Sequence, residues 1–306
     1  MPIHGARLKG MNRASPLGEA VRGEPKMDLS QKATVSLAER AQSAAVAPYP
    51  QLAPYFKETA PAVLIALARN PHLKERDLLR LLERKDLPAK AVEALAAHPI
   101  TEESYAVRLA LARHPRAPRS VSLPTLKQLY LFDLVGVALA PTVPADVKRA
   151  AEEMVLKRME GLPRGEKITL ARRGPGRVAA ALALTTDRTL IAAALDNPYL
   201  TEAQLIKVLS LQQIPSTTVE ALAQHRKWSL RYNLRLAMVR HPLTPFHAVL
   251  TWLPNLAVSD LRQISQDPTM PEPVRRYIQA HCQARTEPPV AGSVRLRGPD
   301  SSSHLH

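Results

Sequence analysis

The chain repeats itself at a fixed offset of 127 residues. Sliding residues 66–150 onto residues 193–277 without a gap gives about 32 identities in 85 positions. The longest shared phrases include VEALAxH, which begins at Val92 in the first copy and at Val219 in the second. An ungapped match of this length predicts an internal tandem duplication whose two copies have the same fold.

One short motif recurs in both copies: the end of an apolar segment, a polar residue, and then a proline. Its prolines are spaced by 28, 16 and 26 residues in the first copy, and the second copy keeps the spacing with one arginine substituted: Pro71, Pro99, Pro115 and Pro141; Pro198, Arg226, Pro242 and Pro268. Proline cannot continue a helix and disfavours helical geometry in the residue before it. With only 4% aromatic residues and 11 glycines, the pattern predicts short helices and an all-α fold.

A duplicated set of helix pairs is typical of an α-solenoid, in which each unit buries its apolar face against its neighbours. We therefore predict one helical-repeat domain over residues 51–285, with residues 151–192 forming bridging repeats between the copies. Residues 1–50 and 286–306 show little apolar periodicity. They are predicted to be a mostly disordered N-terminal tail and a disordered C-terminal tail.

The phrase VAAALALTTDRTLIAAALDNPYLTEAQLIKVL, from Val178 to Leu209, resembles the leucine-rich repeat variant and related HEAT-like helical repeats. In those families short helices alternate and Asn-Pro marks the turn. The resemblance implies an α-solenoid that binds an extended partner. The leucine-rich variant family includes a protein with an N-terminal cysteine cluster for iron and sulfur, whereas Cys282 is the single cysteine of this sequence. No cofactor is therefore predicted.

The chain is strongly basic, with 42 Lys and Arg against 27 Asp and Glu and a formal charge of +15. Such an excess attracts polyanions, including nucleic acid, acidic proteins and lipid surfaces. A single cysteine excludes an internal disulfide. No apolar run approaches the roughly 20 residues of a membrane-spanning helix, so we expect a cytoplasmic protein without a membrane span.

The duplication carries tyrosine and arginine residues at equivalent positions of one helix: Tyr105, Arg108 and Arg113; Tyr232, Arg235 and Arg240. If these side chains line a groove, they offer bidentate hydrogen bonds and a stacking surface to phosphate or carboxylate ligands. The alternative is structural. The arginines would then bond exposed helix ends and acids such as Glu93 or Glu220 and tie neighbouring repeats together.

The sequence PRGEKITLARRGPGR, at residues 163–177, combines one acid with five basic residues: Arg164, Lys167, Arg172, Arg173 and Arg177. Its glycines and prolines favour exposed turns. Lysine and arginine there could neutralise a nucleic-acid backbone without reading its sequence. The alternative is a solvated charged segment, and the pattern of a P-loop is absent.

Four histidines are shared between the copies: His98 with His225, and His114 with His241. Histidine can ligate metals or transfer protons near neutral pH. The favoured interpretation is that each one caps the end of a helix. Neither catalytic nor metal-binding residues are predicted.

A HEAT-like DNA glycosylase is the enzyme hypothesis, with Trp228, Trp252 and Asp260 as stacking and charge-stabilising groups. Asp133 matches Asp260, but threonines replace both tryptophans in the first copy. The sequence favours a non-enzymatic scaffold that binds a protein partner. A module that binds the phosphate backbone of nucleic acid and the DNA-repair enzyme remain the alternatives.

Overall fold

The structure, a computed structural model, describes residues 36–268 and 270–286. These residues form eighteen α-helices, three short 3-10 helices and no β-strand, which confirms the all-α prediction for this part of the chain. The α-helices are α1 (Leu37–Val46), α2 (Pro61–Ala68), α3 (Glu75–Leu82), α4 (Ala89–Ala96), α5 (Pro99–Glu103), α6 (Tyr105–Arg113), α7 (Arg119–Lys127), α8 (Leu131–Leu139), α9 (Ala145–Arg158), α10 (Arg164–Arg173), α11 (Gly176–Leu182), α12 (Arg188–Leu195), α13 (Glu202–Leu209), α14 (Ser216–Gln224), α15 (Tyr232–Arg240), α16 (Phe246–Trp252), α17 (Val258–Ser265) and α18 (Glu272–Thr286). The 3-10 helices are Tyr49–Gln51, Ala53–Lys57 and Leu253–Asn255.

Proline sets the start of many of these helices. Seven helices have a proline as N-cap, with φ between −56° and −63°: Pro88, Pro118, Pro144, Pro163, Pro175, Pro215 and Pro245. The ring fixes φ near this value, and its extended ψ turns the chain into the first helical residue. Closely spaced prolines therefore divide an Ala- and Leu-rich sequence into helices of two or three turns.

The main helix–helix packing joins elements that are close in sequence. Helix α2 packs on α4, α10 on α12 and α12 on α14, while α11 packs on α13 and α13 on α15. Each of these pairs joins a helix to the helix two places along the chain. Packing that is limited to near neighbours is characteristic of repeat proteins.

The core consists mainly of Leu, Ala and Val side chains in two clusters. One cluster includes buried residues from Ala44 to Ala117, and the other includes residues from Ala112 to Cys282. The larger cluster continues through Ala151, Leu170 and Val178. The core is therefore continuous across residues 151–192, where bridging repeats were predicted.

Eight pairs of helices begin at residues 127 apart: α1 with α10, α2 with α12, α3 with α13, α4 with α14, α6 with α15, α7 with α16, α8 with α17, and α9 with α18. The equivalence starts at Leu37, earlier than the segment whose sequence identity is evident. Residues 37–158 are called the first half below, and residues 164–286 the second half. Helix α5 has no counterpart, because Arg226 replaces the proline that starts it.

A buried asparagine fastens the start of each half. The side-chain NH2 of Asn70 donates to the carbonyls of Ala44 and Ala47, at 2.8 and 3.0 Å. The second half repeats both bonds, from Asn197 to Ala171 and Gly174 at 2.7 and 2.9 Å. Carbonyls at a helix end lack intrahelical partners. The asparagine of each Asn-Pro turn supplies those partners.

Residues 36–50 belong to the packed domain, which corrects the domain boundary drawn at residue 51. Helix α1 packs along α2, and Ala44 is fully buried. Ser36 and Glu39 form a capping box at its start. The helix buries small alanine side chains rather than large apolar ones, so its sequence shows little amphipathic pattern. The rest of the predicted N-terminal tail, residues 1–35, and residues 287–306 lie outside the described residues.

Candidate binding grooves

The hydroxyl groups of the two equivalent tyrosines form hydrogen bonds within the chain. Tyr105 donates its hydroxyl to Asp133 at 2.5 Å and accepts the backbone N–H of Tyr130 at 3.0 Å. The second half repeats this pair of bonds with Tyr232, Asp260 and Ala257. Burial and the bond to Asp133 raise the pKa of Tyr105, and the bond to Asp260 raises the pKa of Tyr232. Each tyrosine thus ties its helix to the start of the helix two places along, α6 to α8 and α15 to α17.

The four predicted arginines do not share one surface. Arg108 donates to the carbonyl of Glu102 at 2.8 Å, and Arg235 donates to the equivalent carbonyl of Ser229. Residues 108 and 113 are five positions apart on α6, which places them about 140° apart around the helix axis. Arg113 therefore contacts a different element, the Asp133 carboxylate of α8, at 3.7 Å. Arg240 likewise reaches α17, where it donates to Gln263 at 3.2 Å.

These bonds match the structural alternative for the arginines, with different partners from those expected. Arg108 bonds a carbonyl of α5 and Arg235 one in the turn before α15, whereas Arg113 and Arg240 bridge to the helix two places along, α8 or α17. Glu220, one of the acids proposed to receive such an arginine, faces Arg188 at 3.9 Å.

The basic segment 163–177 is largely a helix, α10, rather than a set of exposed turns, because its prolines and glycines fall at the helix ends. Three of its five cations have partners. Arg164 binds Asp187 at 2.6 Å, Lys167 donates to the carbonyl of Glu160 at 2.8 Å, and Arg177 faces Glu153 at 3.7 Å. Hydrogen bonding to Arg164 lowers the pKa of Asp187 to about 2. Arg172 and Arg173 are exposed, and neither forms an ion pair within the described part of the chain.

The shared histidines organise turns. The Nδ1 atom of each accepts the backbone N–H two residues later, at 3.2 to 3.4 Å: His98, His114, His225 and His241. Burial lowers the pKa of His114, whose Nε2 also meets the Arg84 carbonyl at 2.9 Å. The capping interpretation placed these bonds at the end of a helix, whereas three of the histidines bond the turn that follows and His98 caps the start of α5.

The tryptophans lie in the core. Trp228 is 2% exposed and donates its indole N–H to the carbonyl of Leu195 at 2.8 Å, while Trp252 is 4% exposed. Asp260, the third residue of the glycosylase hypothesis, accepts the hydroxyl of Tyr232. Neither ring presents a face on which a nucleic-acid base could stack.

Sequence reasoning missed an apolar groove between α13 and α15, with a volume of about 420 Å³. Its apolar lining is Ile206, Leu209, Leu211, Ala237 and Pro242, and Arg240 stands beside them. Leu211 is 41% exposed, and Leu243, just beyond the groove, is 43% exposed. The groove can therefore receive an apolar side chain next to a cation.

The same corner of the first half is polar. Arg84 stands at the position of Leu211, binds Asp86 at 2.6 Å and donates to the carbonyl of Phe56 at 2.8 Å. Arg116 stands at the position of Leu243 and donates to the carbonyl of Asp86 at 3.4 Å. Aligning the two halves at the 127-residue offset would have revealed this exchange of charged residues for leucines.

No protein-family model, curated protein or solved structure matches this chain. None of the helices in the described ranges combines the length and apolar character needed to cross a bilayer. The same residues contain no group of three or more His, Cys, Asp or Glu side chains placed to hold a metal ion. Function must therefore be inferred from the geometry of the grooves.

Proposed function

We propose that this chain is a non-enzymatic α-solenoid scaffold, built from two tandem copies, that binds a protein partner through the groove between α13 and α15. The helix starts 127 residues apart and the near-neighbour packing support the duplication and the solenoid architecture. The resemblance to leucine-rich variant and HEAT-like repeats belongs to the same proposal.

The difference between the two halves at the corner of Leu211 carries this proposal. With Arg84, Asp86 and Arg116 the first half closes the corner with hydrogen bonds. The second half has equivalent helices there but leaves Leu211 and Leu243 in contact with water. Covering these two partly exposed leucines would contribute about 1–2 kcal/mol to binding.

The lining of the groove indicates the chemistry of the partner. Small and aliphatic walls suit the apolar face of an amphipathic helix. Arg240 is exposed, and its partner Gln263 is an uncharged amide that leaves the positive charge of Arg240 unpaired. A carboxylate on the partner would gain a stronger, charge-assisted bond there. We expect a peptide segment with two or three large apolar residues and a nearby Asp or Glu.

Site-specific photo-crosslinking in cells that express the full chain tests this function. A photoreactive amino acid replaces Leu211 or Leu243, and matched variants carry it at Arg84 or Arg116. We expect a protein adduct of discrete mass from the second-half positions only, abolished by Ala237→Glu, which places a charge in the groove. Equal adducts from both halves, adducts that survive Ala237→Glu, or no adduct would contradict the proposal.

A further inference from the structure

A second groove, between α7 and α9, has a different chemical character. It has a volume of about 500 Å³, and four of the side chains around it are basic: Arg119, Lys127, Arg149 and Lys157. Helices α7 and α9 pack directly on each other beneath it. The cations therefore sit on two walls of one fixed cleft rather than along a flexible segment.

The acidic side chains of this groove are already paired. Asp146 forms an ion pair with Arg119 at 3.3 Å, and Glu153 faces Arg177 of α11 at 3.7 Å. No ion pair engages Lys127, Arg149 or Lys157 within residues 36–268 and 270–286. Three of the four cations thus face the cleft outside any ion pair, and its four basic and two acidic side chains leave a net charge of +2, which concentrates positive potential there.

The second half shows that the fold does not require three of these cations, Arg119, Lys127 and Lys157, whereas it keeps an arginine at the position of Arg149. At the positions of Arg119, Lys127, Arg149 and Lys157 it carries Phe246, Pro254, Arg276 and Ala284. Phe246 meets Tyr277 edge-on, with ring centroids 5.8 Å apart. Equivalent helices are therefore compatible with an aromatic and apolar groove, and the basic residues of α7 and α9 require a separate explanation.

We infer that the α7–α9 groove binds the phosphate backbone of nucleic acid. Arg149 and Lys157 are eight residues apart on α9, about 12 Å along the helix axis. One strand of a duplex places a phosphate about every 3.4 Å along its axis, so this distance spans three to four phosphates. Lys127 approaches the same path from the α7 wall. Contacts to phosphate carry no base information, so binding is independent of sequence. This activity goes beyond the protein-binding function and uses a separate surface.

Fluorescence anisotropy with labelled 20-nucleotide DNA and RNA, single-stranded and duplex, at 50–200 mM salt tests the inference. The groove variant combines Lys127→Ala, Arg149→Ala and Lys157→Ala. A control of equal charge combines Lys85→Ala, Lys207→Ala and Arg226→Ala, which are exposed cations outside the groove. Circular dichroism and thermal unfolding verify that both variants remain folded.

We expect wild-type binding that weakens steeply with salt. Loss of three contacts should reduce the slope of log K against log salt by about 2 for single strands and about 3 for duplexes. The control should keep the wild-type slope. No binding at 50 mM salt, or equal losses in the groove variant and the control, would overturn the inference. So would a polyglutamate probe that binds as tightly as the nucleic acid with the same dependence on the groove, because the occupant would then be an acidic protein. None of these three outcomes would affect crosslinking at Leu211, so the protein-binding proposal is tested separately.

Discussion

Replacing Asn197 with alanine should destabilise the protein by about 3 kcal/mol. The Asn197 side chain is fully buried and makes three hydrogen bonds. It donates to the carbonyls of Ala171 and Gly174 and accepts the backbone N–H of Tyr199 at 2.7 Å. Each such bond contributes about 0.5–1.5 kcal/mol, and a buried group left without a partner costs about 1–3 kcal/mol. The summed loss of free energy approaches the upper range for single substitutions, because alanine leaves the three backbone partners buried without a hydrogen bond.

Asn70 offers a matched test in the first half, since it makes the equivalent bonds to Ala44, Ala47 and the N–H of His72. Asn70→Ala should therefore have a similar cost. Asn197→Asp should cost at least as much as alanine, because a carboxylate at neutral pH would face two carbonyl oxygens. Urea unfolding followed by circular dichroism measures these changes, with the exposed Gln224→Ala as the control. Losses below about 0.5 kcal/mol for both asparagines would refute the argument that these bonds fasten each half.

Three further predictions follow from single contacts. Tyr105→Phe removes the hydroxyl that bonds Asp133 and the N–H of residue 130, and should lower the unfolding free energy by about 1–2 kcal/mol in urea titrations. The pKa of Asp187 is about 2 when folded against about 3.9 when unfolded, so its contribution is present above pH 4 and lost as pH falls towards 2. Asp187→Asn should remove that part of the acid dependence in thermal melts from pH 6 to 2. A variant with the same pH profile as the wild type would exclude a contribution from Asp187. Leu211→Asp should change the unfolding free energy by less than about 0.5 kcal/mol and still abolish the crosslink formed from position 243; a large loss of stability would show that Leu211 belongs to the core.

The proline phrases predicted the helix boundaries of the repeated segments well, because their physical effect is local. The start of the repeat could not be predicted in the same way. Between α1 and α10 the ten aligned positions share only two identities, at Glu39 with Glu166 and Ala44 with Ala171. Their equivalence appears in the structure because Asn70 and Asn197 bond to matching carbonyls. Those contacts connect residues more than 20 positions apart, beyond the reach of local sequence patterns.

The sequence also did not reveal that many of the candidate residues have partners within the chain. Arginine, tyrosine and tryptophan were selected because they serve binding sites, but the same side chains also satisfy buried carbonyls and helix ends. Sequence alone does not show that Trp228 bonds the carbonyl of Leu195, 33 residues earlier. Nor does it show that Arg164 of α10 meets Asp187 at the start of α12. The two grooves were missed because each is formed by helices that are separated in sequence.

Comparison of the two halves separates structural residues from candidate functional ones. Polar side chains that the halves share, such as Asn70 with Asn197 and Tyr105 with Tyr232, bond within the chain. Identity between the halves therefore indicates what each half needs in order to fold. The unshared surface residues are free of that requirement, and they differ in character. The α7–α9 groove is cationic, whereas the equivalent position in the second half has the aromatic pair Phe246 and Tyr277. The corner of Arg84 is polar, whereas that of Leu211 is apolar. Binding specificity should therefore reside where the two halves differ.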